Sequence, residues 1–384
     1  MRRIYLDNAA TTAVSPAVVE AMLPFFTQVY GNASSVHTTG REAKRALEAA
    51  RRQVAKAIHA AVPQEIYFTA GGSESDNWAI KGVAFAKKEK GNHIITSAIE
   101  HHAVLHTCQW LEKQGFAVTC LPVDEYGRVT AAQVEKALQP DTILVSVMMA
   151  NNEVGTVEPI AEIGALCRAR GILFHTDAVQ AVGALPIDVQ AMNIDLLSLS
   201  GHKFHGPKGV GALYIRKGVK IDNLVHGGAQ ERGFRAGTEN LPGIVGLGKA
   251  IEMADAALAE NAARMTKLRD RLIQGLMEAV PGTRLNGHPT QRLPNNVNLS
   301  FAGVEGEALL LRLDLAGVAG SAGSACTSGT LDPSHVLMAL GLSETAANGA
   351  LRLTLGTDTT REDIDAVLEI LPPIVADLRR MTAR

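Results

Sequence analysis

The sequence predicts an α/β protein in which a mostly parallel sheet forms a large domain and a smaller α+β domain follows it. Seven short apolar runs have the length and composition of buried strands. Helix-like segments separate several of them, and this alternation predicts a parallel sheet covered by helices on both faces. The length of 384 residues suffices for two domains. The predicted strands are 65–69, 93–97, 117–121, 142–148, 171–176, 195–200 and 211–215.

Two segments have clear amphipathic helical patterns. In 41–58 the apolar positions recur at spacings of three and four, which places them on one helix face. These positions are Ala43, Leu47, Ala50, Val54 and Ile58. A single long helix is predicted over 246–280, and a mixed strand and helix pattern follows it. We place the large domain at 13–255 and the small domain at 1–12 plus 256–384.

Composition and charge exclude several classes of protein. The net charge of -2 provides no basic footprint for nucleic acid and no polybasic membrane patch. No apolar run is long enough to span a membrane, and the first residues lack the apolar core of a signal peptide. The four cysteines form no C-x-x-C pair and are too few for a disulfide framework. We expect a cytoplasmic protein with free thiols.

The stretch 71–74 joins a predicted strand to a predicted helix through two glycines. Ser73 followed by Asp76 is typical of a capping box. The free N–H groups and the dipole at a helix start favour an anion, and glycine permits close backbone approach, which indicates a phosphate seat. An ordinary strand–turn–helix connection explains the same residues equally well.

Polar residues also follow other predicted strands. Asp177 is compatible with a helix cap, a metal ligand or a partner for a protonated heterocycle. His101, His102 and His106 suggest a metal site, but the carboxylate–histidine signature of zinc enzymes is missing.

Lys203 lies between two histidines in a glycine-rich turn directly after a predicted core strand. Strand ends of a parallel sheet meet at one edge, so Lys203, Asp177, His101 and the stretch 71–74 are expected to converge there. Together they suit pyridoxal 5'-phosphate. The lysine would form a Schiff base, the acid would keep the ring nitrogen protonated, and the ring would act as an electron sink.

Short motifs in a fixed order cover essentially the whole chain. They are YLDNAATT, GNASSVH, IEHHAVL, NNEVG, HTDAVQ, SGHKFHGPKG, RAGTEN, GSACTSG and LRLTLG. In these motifs the sequence resembles the NifS-like cysteine desulfurases, within the class V aminotransferase superfamily of fold-type I pyridoxal-phosphate enzymes. The resemblance implies that fold, with a seven-stranded large-domain sheet.

The resemblance also implies roles for individual positions. Lys203 would be the Schiff-base lysine, and His101 would stack over the cofactor ring and assist proton transfer. Asp177 would pair with the ring nitrogen and Gln180 with the phenolic oxygen. The residues implied to hold the phosphate are Gly72, Ser73, Ser200, His202 and, from the other subunit of a homodimer, Thr238. Those implied to face the substrate are Asn8, Asn152 and Arg352, of which Asn152 would also contact the cofactor and Arg352 would bind the amino-acid carboxylate. Family members commonly have Ala-Thr at 72–73, and a serine hydroxyl can replace that of threonine.

Cys326 decides which reaction the predicted site performs. The glycines and serines around it are hard to pack as core and typical of a loop, where an accessible thiol can act as a nucleophile. A small buried hydrophobe is the alternative. Cys108, Cys120 and Cys167 lie in apolar helix or strand patterns, which predicts core packing for them.

The implied reaction is desulfuration of L-cysteine to L-alanine, with the sulfur held as a persulfide on Cys326. Its receiver stays open among an iron–sulfur scaffold, a nitrogenase-dedicated scaffold and a carrier for transfer-RNA thiolation. No resting metal is implied, apart from a transient contact of Cys326 with an iron–sulfur cluster, and no direct contact with nucleic acid or membrane. The alternatives are a selenocysteine lyase or sulfinate-processing relative and, from another class, a non-catalytic sulfur carrier or metal-binding module.

Overall fold

Strands and helices alternate along most of the chain in a computed structural model that describes residues 3–322 and 333–382. The strands are β1 Ile4–Tyr5, β2 Ile66–Thr69, β3 His93–Ser97, β4 Ala117–Leu121, β5 Thr142–Ser146, β6 Leu173–Asp177, β7 Leu196–Ser200, β8 Gly211–Ile215, β9 Thr283–Leu285, β10 Asn296–Phe301, β11 Val318–Ala319 and β12 Ala350–Thr354. The helices are α1 Pro16–Met22, α2 Pro24–Thr27, α3 Thr38–Ala57, α4 Gly72–Lys87, α5 His102–Glu112, α6 Ala131–Ala137, α7 Ile160–Arg170, α8 Leu241–Ala256, α9 Leu258–Ala279, α10 Gly306–Leu315, α11 His335–Ala339, α12 Glu344–Asn348 and α13 Arg361–Thr382. Within these described ranges no helix is both long and apolar enough to cross a membrane.

A seven-stranded sheet forms the centre of the larger unit, in the order β2-β8-β7-β6-β5-β3-β4. Strands β3 to β7 run parallel, and β8 is antiparallel to both β7 and β2. The carboxyl ends of β2, β3, β5, β6 and β7 therefore lie at the same edge. All seven predicted strands are present, and the mostly parallel seven-stranded sheet is confirmed.

Both faces of this sheet are covered, as the continuously apolar strands require. One face packs against α3 and α8, and the other packs against α4 and α5. The face predicted for 41–58 is confirmed, because its five apolar positions are 5% exposed or less. The core therefore holds the carboxyl edge of the sheet rigidly from both sides.

A second, separate core lies around the three-stranded antiparallel sheet β12-β10-β9. Helices α9, α10 and α13 pack on it, and β1 pairs in parallel with β11 beside it. The first residues of the chain thus join a core built mainly from residues after 256. The division into 13–255 and 1–12 plus 256–384 stays a proposal.

The single helix predicted over 246–280 is wrong. Two helices occupy this region, α8 and α9, and they meet at Ala257, whose backbone leaves the helical region at φ -101° and ψ 5°. The buried side chains of α8 belong to the first core and those of α9 to the second. A straight helix would direct one continuous stripe toward a single core, so the break at Ala257 lets each helix face its own. Alanine gives no sequence signal for a break.

Core packing is confirmed for Cys108 and Cys167, which are buried, but is wrong for Cys120, which is exposed. Cys120 lies on β4, the strand at the edge of the sheet. Burial raises the pKa of the Cys108 and Cys167 thiols to about 12, so neither is a ready nucleophile.

Candidate active site

A cavity of about 390 Å³ opens at the carboxyl edge of the seven-stranded sheet, beside the strand β12 of the second core. It lies where the chain order reverses between β3 and β5, the usual ligand position in open α/β sheets. The structure brings ten of the predicted site residues to its wall: Gly72, Ser73, His101, Asn152, Asp177, Gln180, Ser200, His202, Lys203 and Arg352.

Three predicted site residues are not on this wall. Asn8 lines a neighbouring cavity of about 500 Å³ that shares Lys203 and Gln180 with the first, and its Nδ2 donates to Thr354 O at 2.9 Å. Thr238 is exposed and does not reach the cavity of its own chain. Cys326 lies outside the described residues.

Lys203 follows β7 in a single turn of 3₁₀ helix, Gly201–Lys203. A Cβ at Gly201 would lie 2.9 Å from Leu247 Cδ1 and 3.1 Å from Pro207 O, so only glycine lets the turn pack this closely on α8. Lys203 Nζ then donates to Ala9 O at 2.5 Å and to Ala10 O at 2.9 Å. The amine is therefore held at the cavity wall by the carbonyl groups of a segment far away in sequence.

Asp177 ends β6 and is 5% exposed. Its Oδ1 accepts a hydrogen bond from Val179 N–H at 2.8 Å. Burial raises the pKa of Asp177, while the nearby His101 and Lys203 oppose that rise. Gln180 Nε2 donates to Ala9 O at 3.0 Å, the same carbonyl that Lys203 contacts.

A second carboxyl group, Asp76, is buried beside Asp177. Burial raises the pKa of Asp76 well above its usual range, and Asp177 adds to the rise. Asp76 Oδ1 lies 3.6 Å from Nε2 of His175, whose own burial lowers its pKa to about 3. Since only Asp177 has His101 and Lys203 to offset its burial, we infer that Asp177 carries the charge and Asp76 the proton.

The capping box predicted from Ser73 and Asp76 is wrong. The residue that caps α4 is Gly71, at φ 155°, with no side-chain cap. Burial draws the Asp76 side chain into the core instead of back over the first turn. The acidic residue in the first turn of α4 is Glu74. Its side chain accepts a hydrogen bond from Ala70 N–H at 2.9 Å and forms an ion pair with Arg235 at 2.8 Å.

The start of α4 forms a cradle together with Ser200 and His202. A Cβ on Gly72 would lie 2.6 Å from Val179 Cγ2, so the helix could not approach β6 this closely with a larger residue. Within the described ranges, the N–H groups of Gly72 and Ser73 donate to no protein group. Burial lowers the pKa of His202 to about 4, with Lys203 adding to the effect, so its ring is neutral.

His101 caps α5, because its Nδ1 accepts from Ala103 N–H at 3.1 Å. A neutral His101 therefore carries its proton on Nε2. Its neighbour His102 stacks on His106 at a centroid distance of 4.9 Å, and the ring of His335 lies tilted against His102 at 4.7 Å. Among the described residues no group of three or more His, Cys, Asp or Glu side chains could hold a metal ion.

Arg352 lies on β12 and is 1% exposed. Its Nη1 donates to Asn152 O at 3.1 Å and its Nη2 to Asp7 Oδ1 at 3.0 Å. We use the name arginine side for the group Asp7, Asn152, Glu153, Ser334 and Arg352. We use the name lysine side for the group Gly72, Ser73, Asp177, Gln180, Ser200, His202 and Lys203.

Several wall residues were missed by the sequence analysis. Glu100 and Glu153 stand inside motifs that were recognised, IEHHAVL and NNEVG, and their acidic character in an apolar setting was the available signal. Glu100 Oε1 accepts from Ser97 Oγ at 2.5 Å and from Met148 N–H at 2.9 Å, and burial raises its pKa to about 8. His335 carries no local signal, because only the folded chain brings it to the wall. Asp7 lies inside the recognised motif YLDNAATT and pairs with Arg352 behind the wall.

Comparison with known proteins adds family information to this geometry. The family model of aminotransferase class-V matches residues 4–367. A cysteine desulfurase IscS from Methanosarcina thermophila is 60% identical over 381 residues, which cover 99% of this chain and 94% of that protein.

Solved structures of other proteins are also similar to this chain in sequence and fold. A NifS-like protein superposes with a TM-score of 0.92 at 42% identity and covers 98% of this chain and 100% of that one. The structure of SspA in complex with cysteine has a TM-score of 0.82 at 41% identity, with 93% of this chain and 100% of that one covered.

Proposed function

This chain belongs to the aminotransferase class-V family and is a cysteine desulfurase, and we propose that it uses pyridoxal 5'-phosphate and Cys326 to take sulfur from L-cysteine. The observation that carries the proposal is one cavity lined by Lys203, Asp177, His101 and Arg352. These residues supply an amine, a buried acid, a proton carrier and a guanidinium that can bind a carboxylate. A carrier or metal-binding module would need none of the four in this arrangement.

The lysine side fits the proposed cofactor. The N–H groups of Gly72 and Ser73 at a helix start, with Ser200 and a neutral His202, would hold its phosphate. Asp177 would face the ring nitrogen and Gln180 the phenolic oxygen, and Lys203 would hold the group covalently. When bound, the cofactor supplies an electron sink for the substrate α-carbon.

The arginine side fits the carboxylate of an amino acid. A guanidinium has five donors, and Asp7 and Asn152 occupy two of those of Arg352 in the described part of the chain. One N–H on each terminal nitrogen remains to form a bidentate pair with the substrate carboxylate. That pair would orient the substrate with its α-carbon toward Lys203.

The proton and sulfur steps then fall to named side chains. With the substrate bound, the Lys203 amine would be free to take the α-proton. The Cys326 thiolate attacks the substrate sulfur: an S–S bond forms, the C–S bond breaks, and its electron pair stays with the substrate carbon. Lys203 and His101 Nε2 return protons to the carbon skeleton, which leaves as alanine. The sulfur remains on Cys326 as a persulfide and passes to an acceptor thiol.

The proposal extends to the setting of the enzyme. We propose a cytoplasmic homodimer in which Thr238 reaches the phosphate of the other subunit. Glu74, in the first turn of α4, pairs with Arg235 and so anchors the segment that carries Thr238. The names of the IscS relatives favour an iron–sulfur scaffold as the sulfur acceptor.

The test is alanine formation from L-cysteine with a thiol reductant, which clears the persulfide after each cycle. We expect the wild-type enzyme to form alanine and Cys326→Ala to form none above background. Cys120→Ala is the matched control, because Cys120 is exposed and does not line the cavity. Equal alanine formation by wild type and Cys326→Ala would overturn the persulfide step and favour a lyase that works without this cysteine.

A further inference from the structure

Glu153 occupies a fixed position on the arginine side. It lines the cavity and is 3% exposed. Its N–H donates to Asn151 Oδ1 at 2.8 Å, and its carbonyl accepts from Asn296 Nδ2 at 3.1 Å and Asn298 Nδ2 at 3.0 Å. All three asparagines are 1% exposed or less, so the backbone of Glu153 is held from both cores of the molecule.

Within the described residues, the side chain of Glu153 has one direct partner and two electrostatic ones. Its Oε2 accepts a hydrogen bond from Ser334 Oγ. Burial raises the pKa of Glu153 to about 7, and Ser334, Arg352 and His101 oppose this rise. The group therefore changes charge near neutral pH.

The charged and titratable groups around Glu153 come from each neighbouring element. Arg352 comes from β12, His101 from the start of α5, and Asp7 from the segment after β1, where it pairs with Arg352. His335 follows Ser334 on α11, and burial lowers its pKa. The strand β10 contributes only the neutral amides already described.

A bound substrate would change this balance of charge. Arg352 already faces Asp7 at 3.0 Å and acts on Glu153. A substrate carboxylate would be a third acidic group around one guanidinium. Like charges in a water-poor site disfavour each other, and of the three groups the buried Glu153 gains most from taking a proton.

We propose that Glu153 is a positioning residue that takes up a proton when the substrate carboxylate binds Arg352. As a neutral acid it leaves the full charge of Arg352 to the substrate and Asp7, and it keeps its contact with Ser334. The inference rests on the proposed binding of an amino-acid carboxylate at Arg352.

Linkage gives the direction of the effect. If carboxylate binding raises the pKa of Glu153, a protonated Glu153 must strengthen carboxylate binding by the same factor. Affinity is then full at low pH, declines as the pH rises through about 7, the value in the unliganded protein, and levels off above the value in the complex. An ionised Glu153 repels the incoming carboxylate.

The experiment measures the dissociation constant of L-alanine, the reaction product without a thiol, from the absorbance of the holoenzyme between about pH 6 and 9. Wild type is compared with Glu153→Gln, whose amide oxygen can still accept from Ser334. The ratio of the wild-type to the variant constant cancels titrations common to both proteins. We expect this ratio to rise about tenfold across the range. Calorimetry in two buffers should show additional proton uptake by wild type, up to about one proton.

Two further variants separate charge from packing. Ser334→Ala keeps Glu153 but removes the hydrogen bond that lowers its pKa. The rise in the L-alanine dissociation constant should therefore occur at higher pH in this variant, without disappearing. Glu158→Gln removes a buried acid of the same loop that does not line the cavity, and its constants should follow those of wild type.

A ratio that stays constant within about twofold, in an enzyme that forms alanine from L-cysteine, would overturn this inference alone. The inference would also fail if the ratio of the wild-type constant to that of Glu158→Gln rose with pH in the same way. Wild-type enzyme that forms no alanine would instead overturn the proposed function, whatever the ratio shows.

Discussion

The lysine side and the arginine side of the cavity are built in different ways. The residues of the lysine side follow β2, β6 and β7 within a few positions, so one rigid sheet places them. The arginine side joins Asp7, Asn152, Glu153, Ser334 and Arg352, which come from both cores of the molecule. Its ion pair between Asp7 and Arg352 spans 345 positions of sequence.

This difference separates what each side can do. Groups at the ends of neighbouring strands keep their geometry as long as the sheet is folded, which suits the holding of a cofactor through many turnovers. Groups that meet between two cores depend on how those cores lie against each other. The arginine side is therefore the place where binding of a substrate can couple to charge and to packing.

The largest effect is expected on the lysine side. Lys203→Ala should lower alanine formation by at least about a thousandfold, because both the covalent anchor and the base for the α-proton are lost. Borohydride reduction should fix the cofactor covalently on wild type and not on the variant. Lys208→Ala is the matched control: Lys208 is exposed in the same loop and should leave the rate unchanged. Comparable rates in Lys203→Ala and Lys208→Ala would contradict the assignment of the lysine.

A smaller and different effect is expected on the arginine side. Arg352→Lys replaces a planar fork by a point charge, so the bidentate pair with the substrate carboxylate is lost. The KM for L-cysteine should rise about 30-fold. The kcat and the cofactor absorbance should change little, since the lysine side is untouched. Arg361→Lys, at an exposed position, is the control. A large fall in kcat with KM unchanged would show that the two sides do not act separately.

The same difference explains what could be predicted from the sequence. The ends of strands can be recognised in the sequence as apolar runs followed by Gly, His, Asp or Lys. The carboxyl edge of the sheet and the lysine side could therefore be predicted from the sequence. Asp177 and Lys203 were found because each directly follows such a run. Asp7 and Glu153 lie inside the recognised motifs YLDNAATT and NNEVG, but their roles come from Arg352 and Ser334, and pairing between distant segments leaves no local pattern.

The errors have the same origin. Asp76 fits a capping pattern by its spacing from Ser73, yet burial beside His175 outweighs the small gain of a cap. Ala257 fits a continuous helix, yet the separate cores of α8 and α9 require a break there. In both cases tertiary packing overrides a correct local preference.

The smallest expected effect compares two acids of one loop. Glu158 is 4% exposed, accepts from Val129 N–H at 2.8 Å and does not line the cavity. Burial raises its pKa to about 8, whereas it ionises near 4.5 in the unfolded chain. Between these values the folded protein holds a proton that the unfolded chain has lost, so the free energy of unfolding falls as the pH rises.

Glu158→Gln removes this dependence. Its stability relative to wild type should therefore increase from about pH 5 to pH 9, by up to about 4 kcal/mol, as measured by urea denaturation of both proteins at equal concentration. Glu153→Gln should show a related trend in stability, but only Glu153→Gln should change the pH dependence of L-alanine binding. If Glu158→Gln also changed ligand binding, the loop would act as one electrostatic unit. The special position of Glu153 beside Arg352 would then have no separate effect.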